Sequence, residues 1–564
     1  MAAEDMFDEN LERQENRLLL DNPGANDGSC EKEPYFLYIS CFIVSFGFFT
    51  LGYDIGIISG SMVFITDYFS LTYLWHELLV SLATGPAILG SLFAGYSNEI
   101  VGRKRTLMAS AMVFVIGTLV MACAFSKNVL LVGRILTGIA YGFTSVSSNM
   151  YIAEFAPARI RGKLICFAGI TVTGSLFFAA LVSGIFSGDK TNGWRYMLGL
   201  GAAPAMLLFL GVILVPESPR WLIRKGRSQD AVNVLQKLRG KENVDDEVDE
   251  IKHCHKLARK EGSTWSIFFR MMQDSNAKQA LFISCGIMAI HQLSGINTVL
   301  YYTATIIKMS GVKDERIAVW LATAPAFTNF IFTFVAMLTV EHFGRRKLLL
   351  ASTAGVFVSL VLLTVTFYMQ AQSSSLVSQV ARISGNQCSL LKSCDKCLYN
   401  EMCGFCYYEK GALVQNSSCV PLKSYPSTSS RYCDTEDFEL ITSYGCPSSP
   451  ALRVLTVLGL VLYLVFHASG LGPIAYVVCS EIFPLWSRST GIACAMSVSF
   501  FFNLLTTITF LHASEYLTKA GWFGIIAGFS LFGWFFIYFL LPETKGKRLE
   551  HMNEIFMKTS DYYD

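Results

Sequence analysis

Asp54 stands inside an apolar run that extends from about 36 to 61, with Gly52 and Gly56 beside it. An ionised carboxylate near the centre of a membrane helix costs about 2.5 to 3.5 kcal/mol on insertion scales unless it is paired. Arg134, near the start of the fourth apolar run, is a cation suited to that pairing. A carboxylate that alternates between an arginine and a proton can couple proton entry to a change of access, because nearby positive charge favours the ionised form and desolvation the protonated one. A static buried ion pair is the plainer reading; intramembrane ionisable groups more often mark ion paths.

A second constellation lies in the seventh apolar run, where His291, Gln292, Ser294 and Asn297 are followed by Tyr301 and Tyr302. Asn297 and Tyr301 are one helical turn apart and share a face. Carboxamides suit hydroxyl-rich ligands because each offers two donors and an acceptor. Gly295 would let the helix bend and turn backbone groups toward a watery cavity. The competing reading is hydrogen bonding between helices, which isolated Asn and Gln also perform in membranes.

A third set repeats along the chain. Gly95 to Lys104 after the second run includes Gly102-Arg103-Lys104, matched after the eighth run by Glu341-His-Phe-Gly344-Arg345-Arg346. Glu154 to Arg161 after the fourth run is matched by Glu481 to Arg488 after the tenth, and Pro216-Glu217 by Pro542-Glu543. Opposite charges at helix ends can latch one conformation as a network, since a single exposed pair is worth only about 0 to 1 kcal/mol. Arg103, Glu154, Arg161, Arg345, Glu481 and Arg488 are therefore candidate inner-gate residues, although topology signalling alone would explain some of the arginines.

The elements that must position these groups are membrane helices. Of 564 residues, 52% are hydrophobic and 16% charged, with a mean hydropathy of +0.43. The apolar mass forms about twelve runs of the length that spans a bilayer. Net charge is only +2, spread over loops, which gives nucleic-acid binding no support. Clusters such as Arg103-Lys104-Arg105, Arg345-Arg346-Lys347 and Lys545 to Arg548 place these loops and both termini in the cytoplasm, and 372–450 outside.

That outer segment holds Cys388, Cys394, Cys397, Cys403, Cys406, Cys419, Cys433 and Cys446, half of the chain's 16 cysteines. Such crowding on the oxidising side predicts a disulfide framework, with a zinc site at the paired Cys-x-x-Cys steps as the rival. Eight cysteines leave 105 pairings open. Asn416-Ser417-Ser418 is a glycosylation acceptor within it. The interval from Gly102 to Glu154 is 52 residues and that from Gly344 to Glu481 is 137. Removing the outer segment of roughly 80 residues brings them close, as an insertion into a duplicated plan requires.

The predicted organisation is an all-α membrane protein of twelve transmembrane helices in two pseudo-symmetric six-helix halves. It comprises a tail (1–35), a first half (36–215), a central loop (216–276), a second half (277–541) interrupted by the cysteine-rich insertion (372–450), and a tail (542–564). In sequence order these motifs resemble the major facilitator superfamily, sugar porter family, over nearly the whole chain. Gly193-Trp-Arg-Tyr-Met197, Gln292-Leu-Ser-Gly-Ile-Asn297 and the cysteine-rich loop resemble its proton myo-inositol cotransporters. The run from Cys394 to Cys406 is also similar to plexin-semaphorin-integrin modules.

The resemblance implies alternating access and a proton-coupling pair at Asp54 and Arg134. It implies ligand contacts at Gln292, Asn297, Tyr301, Asn329 and Asn503, and His291, Ser175 and Tyr476 are further candidate substrate-binding residues at matching positions. Departures from the family pattern fall at His291, which replaces a glutamine, at Ser175 and Ala168 in a fifth helix without glutamine, and at Tyr476, where tryptophan is usual. Ser499 and Phe500 replace an Asn-Trp pair, and Ile100 an arginine of the first gate motif. His291 is titratable near neutral pH, though a neutral hydrogen-bonding role is simpler.

The expected activity is proton-coupled symport of a polyol, foremost myo-inositol, at the cell membrane. A facilitative hexose carrier is one rival; a non-transporting nutrient sensor is another. No nucleophile–base set lies in the apolar runs, so neither an enzyme nor a cofactor is expected. The cysteine-rich module is a candidate surface for an extracellular protein partner. Glu15 to Leu20 fits an acidic dileucine signal for endosomal cycling, and His253-Cys254-His255 is a weak metal motif.

Overall fold

In the computed structural model the described residues are 34–249, 251–252, 264–312, 314–373, 388, 391, 393–398, 403–410, 413–421, 438–441, 446–483 and 487–543. The dileucine stretch, His253-Cys254-His255 and Cys433 lie outside them. Among the described residues, 12 helices are long and apolar enough to cross a membrane. The chain is a multi-pass membrane protein with this architecture.

The duplication read from the motifs recurs as packing. In the first half the first span packs on the fifth, the second and third on the fourth, and the third on the sixth. In the second half the seventh packs on the eleventh, the eighth and ninth on the tenth, and the ninth on the twelfth. Each pair maps onto its counterpart by adding six. The halves meet through the first and seventh, second and eleventh, and fifth and eighth spans, which is again a self-consistent exchange. The first span (Tyr35–Phe69) is the most enclosed, because it faces the fifth through Gly52, Gly56 and Gly60. A β-carbon at those three positions would come within 2.1, 2.8 and 2.5 Å of the fifth span, so only glycine permits the approach.

Buried apolar side chains form one cluster across both halves at the end that carries the cysteine-rich module. It includes Ile58, Met62, Leu79, Tyr302, Ile306 and Phe510. At the opposite end, which carries the Arg/Glu motifs, each half has its own cluster: one around Leu37, Val44 and Tyr151, the other around Ile283, Ile474 and Phe483. The halves are thus sealed together at the module end and separate at the motif end.

Among the described residues five spans are interrupted: the sixth at Leu200 and Gly201, the eighth at Ala322, and three others, each for a local reason. The second breaks at Leu82 and Ala83, just ahead of Pro86. The seventh breaks between Leu293 and Ile296, where Gly295 takes φ +84°, a conformation glycine adopts without steric cost. The tenth widens into a π-turn at His467–Leu471 before Gly472-Pro473, because proline supplies no N–H to the turn before it.

In the module, β1 (Cys403–Lys410) pairs antiparallel with β2 (Leu413–Pro421) and β3 (Phe438–Ile441), in the order β2-β1-β3. Cys388 pairs with Cys403, Cys394 with Cys446 and Cys397 with Cys419, and Cys406 is also disulfide-bonded. Sulfurs and the Phe405 and Tyr407 rings fill the small core. Ser448 ties the module's exit to the seventh span by donating to the Ser310 carbonyl at 2.5 Å.

Candidate functional site

Asp54 and Arg134 are brought together as the sequence predicts. Arg134 Nη1 donates to both carboxylate oxygens at 3.0 and 2.9 Å, and both residues are buried. The rest of the guanidinium is spoken for by the broken second span: Nε donates to the Leu79 carbonyl at 2.8 Å and Nη2 to that of Val80 at 3.1 Å. Those carbonyls stand just before the break, where helical partners are lost, so the break creates acceptors for the cation. Arg134 therefore holds the first, second and fourth spans at one point. Tyr301 of the seventh span reaches Thr84, just past the same break, and lies within the field of Arg134 and Asp54.

One turn earlier on the seventh span, a neutral network begins. Asn297 donates to Gln292 Oε1 at 2.7 Å, and Gln292 Nε2 donates to Ser499 Oγ at 2.7 Å. Ser499 also bonds Tyr476. The network thus joins the seventh, tenth and eleventh spans. Tyr476 keeps 41% of its surface exposed toward the motif end of the tenth span while its ring faces His291 edge-on at 5.5 Å. Tyr463 supports the break by donating to the Ser294 carbonyl at 3.0 Å.

Around this network, buried polar atoms lack partners among the described residues: His291 Nδ1, His467 Nε2 and Asn503 Oδ1. An unpaired buried polar atom costs about 1 to 3 kcal/mol, so each suits a ligand that brings its own hydroxyls. His467, in the π-turn, lies 5.1 Å from His291 between ring centres and stacks on Tyr463. Asn329 is buried on the eighth span.

Ser175 is not brought to this cluster. It is fully buried, donates to the Val172 carbonyl at 2.7 Å and packs on Gly52 of the first span. Sequence reasoning also passed over His467 as a member, although an imidazole in an apolar run five residues before Gly472 is a readable signal.

The charged motifs form two equivalent clamps. Arg103 bonds Glu154 at 2.8 Å, and Arg345 bonds Glu481 at 3.0 Å. Glu217 accepts from the backbone N–H of Arg103 and Lys104 at 3.0 and 3.2 Å, and Glu543 from those of Arg345 and Arg346 at 2.9 and 3.1 Å. Each glutamate caps the start of a span, where four N–H groups have no helical acceptor. Burial pushes the Glu217 carboxyl upward, opposed by hydrogen bonds from Ser218, Lys104 and Arg103. These described pairs close within each half rather than across the halves, as the separated motif end requires. The side chains of Arg161, Arg488 and Asn416 lie outside the described set.

The profile of the family described as "Sugar (and other) transporter" matches residues 40–385 and 438–556. The chain belongs to that family. The match is interrupted inside the cysteine-rich segment. This family member is 42% identical to the human proton myo-inositol cotransporter over 537 residues, covering 93% of this chain and 83% of that protein. It is 28% identical to the galactose-proton symporter of Escherichia coli K12, covering 92% of this chain and 94% of that one. Its fold matches the E. coli xylose transporter XylE in a partially occluded inward-open conformation, with a TM-score of 0.68 at 23% identity over 91% of this chain and all (100%) of that one.

Proposed function

We propose that this family member is a proton-coupled symporter that carries a polyol, with myo-inositol as its cargo, by alternating access. The observation that carries this reading is the meeting of Arg134, Asp54 and Tyr301 at the broken second span, one turn from the Asn297–Gln292–Ser499 network. The likeness to the human proton myo-inositol cotransporter supports both proton and cargo.

With Asp54 ionised, its carboxylate anchors the first span to Arg134. A proton on Asp54 removes that counter-charge, while the Leu79 and Val80 carbonyls keep hold of the guanidinium. The first span is then free to shift relative to the second and fourth, and the seventh span follows through its contact with the first. The cargo sits in the second half, its hydroxyls meeting the amides of Gln292 and Asn297, His291 Nδ1 and Asn503 Oδ1, with Tyr301, Tyr476 and Asn329 at its edges. Rejection of a mismatched sugar follows from leaving these buried groups unpaired.

In this reading the module end is extracellular and both termini are cytoplasmic, following the basic loops. Arg103, Glu154, Arg161, Arg345, Glu481 and Arg488 act at the inner gate. The module at 372–450 is a disulfide-bonded, Asn416-glycosylated surface for a protein partner, inserted in the second half (277–541). The chain works at the plasma membrane with endosomal cycling, as a carrier without enzymatic chemistry.

Labelled uptake in expressing cells, comparing myo-inositol and glucose at acidic and neutral pH, tests the proposal. Inositol uptake that rises with acidity is expected. Glucose uptake indifferent to pH would replace it with a facilitative hexose carrier.

A further inference from the structure

A second acid–base contact joins the two halves, and neither the proton pair nor the cargo network uses it. Glu77 lies on the segment of the second span ahead of the break, and its side chain is 1% exposed. Its Oε1 accepts from the backbone N–H of His512 on the eleventh span at 2.9 Å, and its Oε2 bonds His512 Nδ1. The His512 side chain is 41% exposed. The buried member is thus a carboxyl, and the member open to solution is an imidazole.

Because a carboxylate only accepts, Nδ1 must carry a proton for this contact, and the ring's other nitrogen is the one that gains or loses a proton with pH. Imidazole is the side chain whose charge ordinarily changes between pH 5 and 8. When the ring is charged the contact becomes an ion pair, which is worth most where one partner is desolvated. Glu77 and His512 belong to different halves, so the contact bridges them in the closed module end that the structure shows.

We propose that Glu77 and His512 form a second proton site, a latch that favours closure of the module end when His512 is protonated from the solution on that side. The sign follows from linkage. Closure supplies the imidazolium with a carboxylate, so protons favour the closed state as pH falls through the imidazole range, and the gain is lost as pH rises again. The latch also shares an element with the first proton pair, because Arg134 holds the Leu79 and Val80 carbonyls at the end of the helix that carries Glu77.

Other charged and titratable groups face this region from the packed elements. His76 bonds Thr66 and stacks on Tyr302, and Lys127 lies over Trp75. Lys308 pairs with Glu315 at 3.2 Å and lies 3.9 Å from Asp67, while Lys519 reaches the Met309 carbonyl. Lys308 links the halves in the closed state, and Asp67 of the first span hydrogen-bonds Glu315 of the eighth, so that carboxyl pair holds a proton of its own and is a separate pH-dependent contact between the halves.

The proposal rests on the alternating-access reading but not on the cargo. Spin labels introduced through non-canonical amino acids at the exposed positions Asn192 and Tyr516 report the separation of the halves at the module end, in the full chain reconstituted in lipid nanodiscs. Asp54→Asn combined with Asp67→Asn serves as the background, to remove the first proton site and the carboxyl pair of Asp67 with Glu315. The closed population relative to the open one is expected to rise about fivefold from pH 8 to pH 6, the scale of one partly desolvated pair. Adding His512→Gln should abolish that rise, and adding His512→Lys should give the closed distance at both pH values.

A background protein without pH response, or a response that survives His512→Gln, would overturn the latch. If the distance in the unaltered protein responds neither to pH nor to myo-inositol, alternating access itself fails.

Discussion

The two halves share one packing plan and bury opposite kinds of polar group within it. In the first half, the centre is a buried ion pair, Asp54 with Arg134, whose guanidinium is completed by two carbonyls of a broken helix. In the second half, the corresponding depth holds neutral amides, hydroxyls and imidazoles from the seventh, tenth and eleventh spans. A buried charge needs a countercharge and so responds to a proton, whereas a buried amide needs a hydrogen-bond partner and so responds to a polyol. Duplication supplied the scaffold twice, and the copies differ in which polar groups each buries.

That division can be broken most forcefully in the first half. Asp54→Asn should reduce accumulation driven by a pH gradient by about tenfold or more, to simple equilibration, while exchange of labelled cargo continues. Loss of exchange as well would place Asp54 in cargo binding. Arg134→Gln leaves the Asp54 carboxyl without its countercharge, and should lower unfolding stability by about 3 to 5 kcal/mol, read by thermal unfolding of purified protein in lipid. Gln292→Leu in the second half should weaken myo-inositol binding by about ten- to a hundredfold, the worth of one or two buried hydrogen bonds. The shape of its pH profile should stay as it was. The smallest effect sharpens the boundary of the site: Ser175→Ala should change the KM for cargo by less than about twofold, because its hydroxyl is turned to its own helix against Gly52.

How legible each half was in the sequence follows from the same contrast. Asp54 and Arg134 could be matched across 80 positions because ionisable residues are scarce in apolar runs and need each other there. The repeated Arg/Glu motifs were equally plain, but spacing could not say which partner each charge takes. The structure closes Arg103 on Glu154 and Arg345 on Glu481, each inside its own half.

The seventh-span cluster was visible as polar residues crowded around Gly295. Ser175 followed from the family position of a glutamine, and only the fold shows its hydroxyl turned to its own helix beside Gly52. His467 was readable as an imidazole in an apolar run, but that it opens a π-turn and meets His291 is visible only in the fold. Glu77 and His512 stand 435 positions apart near span ends, where charged residues ordinarily face water, and only the fold pairs them.

The central claim is that the first half handles the proton and the second half the cargo. Counterflow and gradient-driven uptake of labelled myo-inositol, measured in the same proteoliposomes for Asp54→Asn and Gln292→Leu, test it most directly. The account predicts that Asp54→Asn loses gradient-driven uptake and keeps counterflow, while Gln292→Leu weakens both in parallel and keeps its dependence on the gradient. Concentrative uptake that survives in Asp54→Asn, or gradient coupling that disappears in Gln292→Leu, would contradict it.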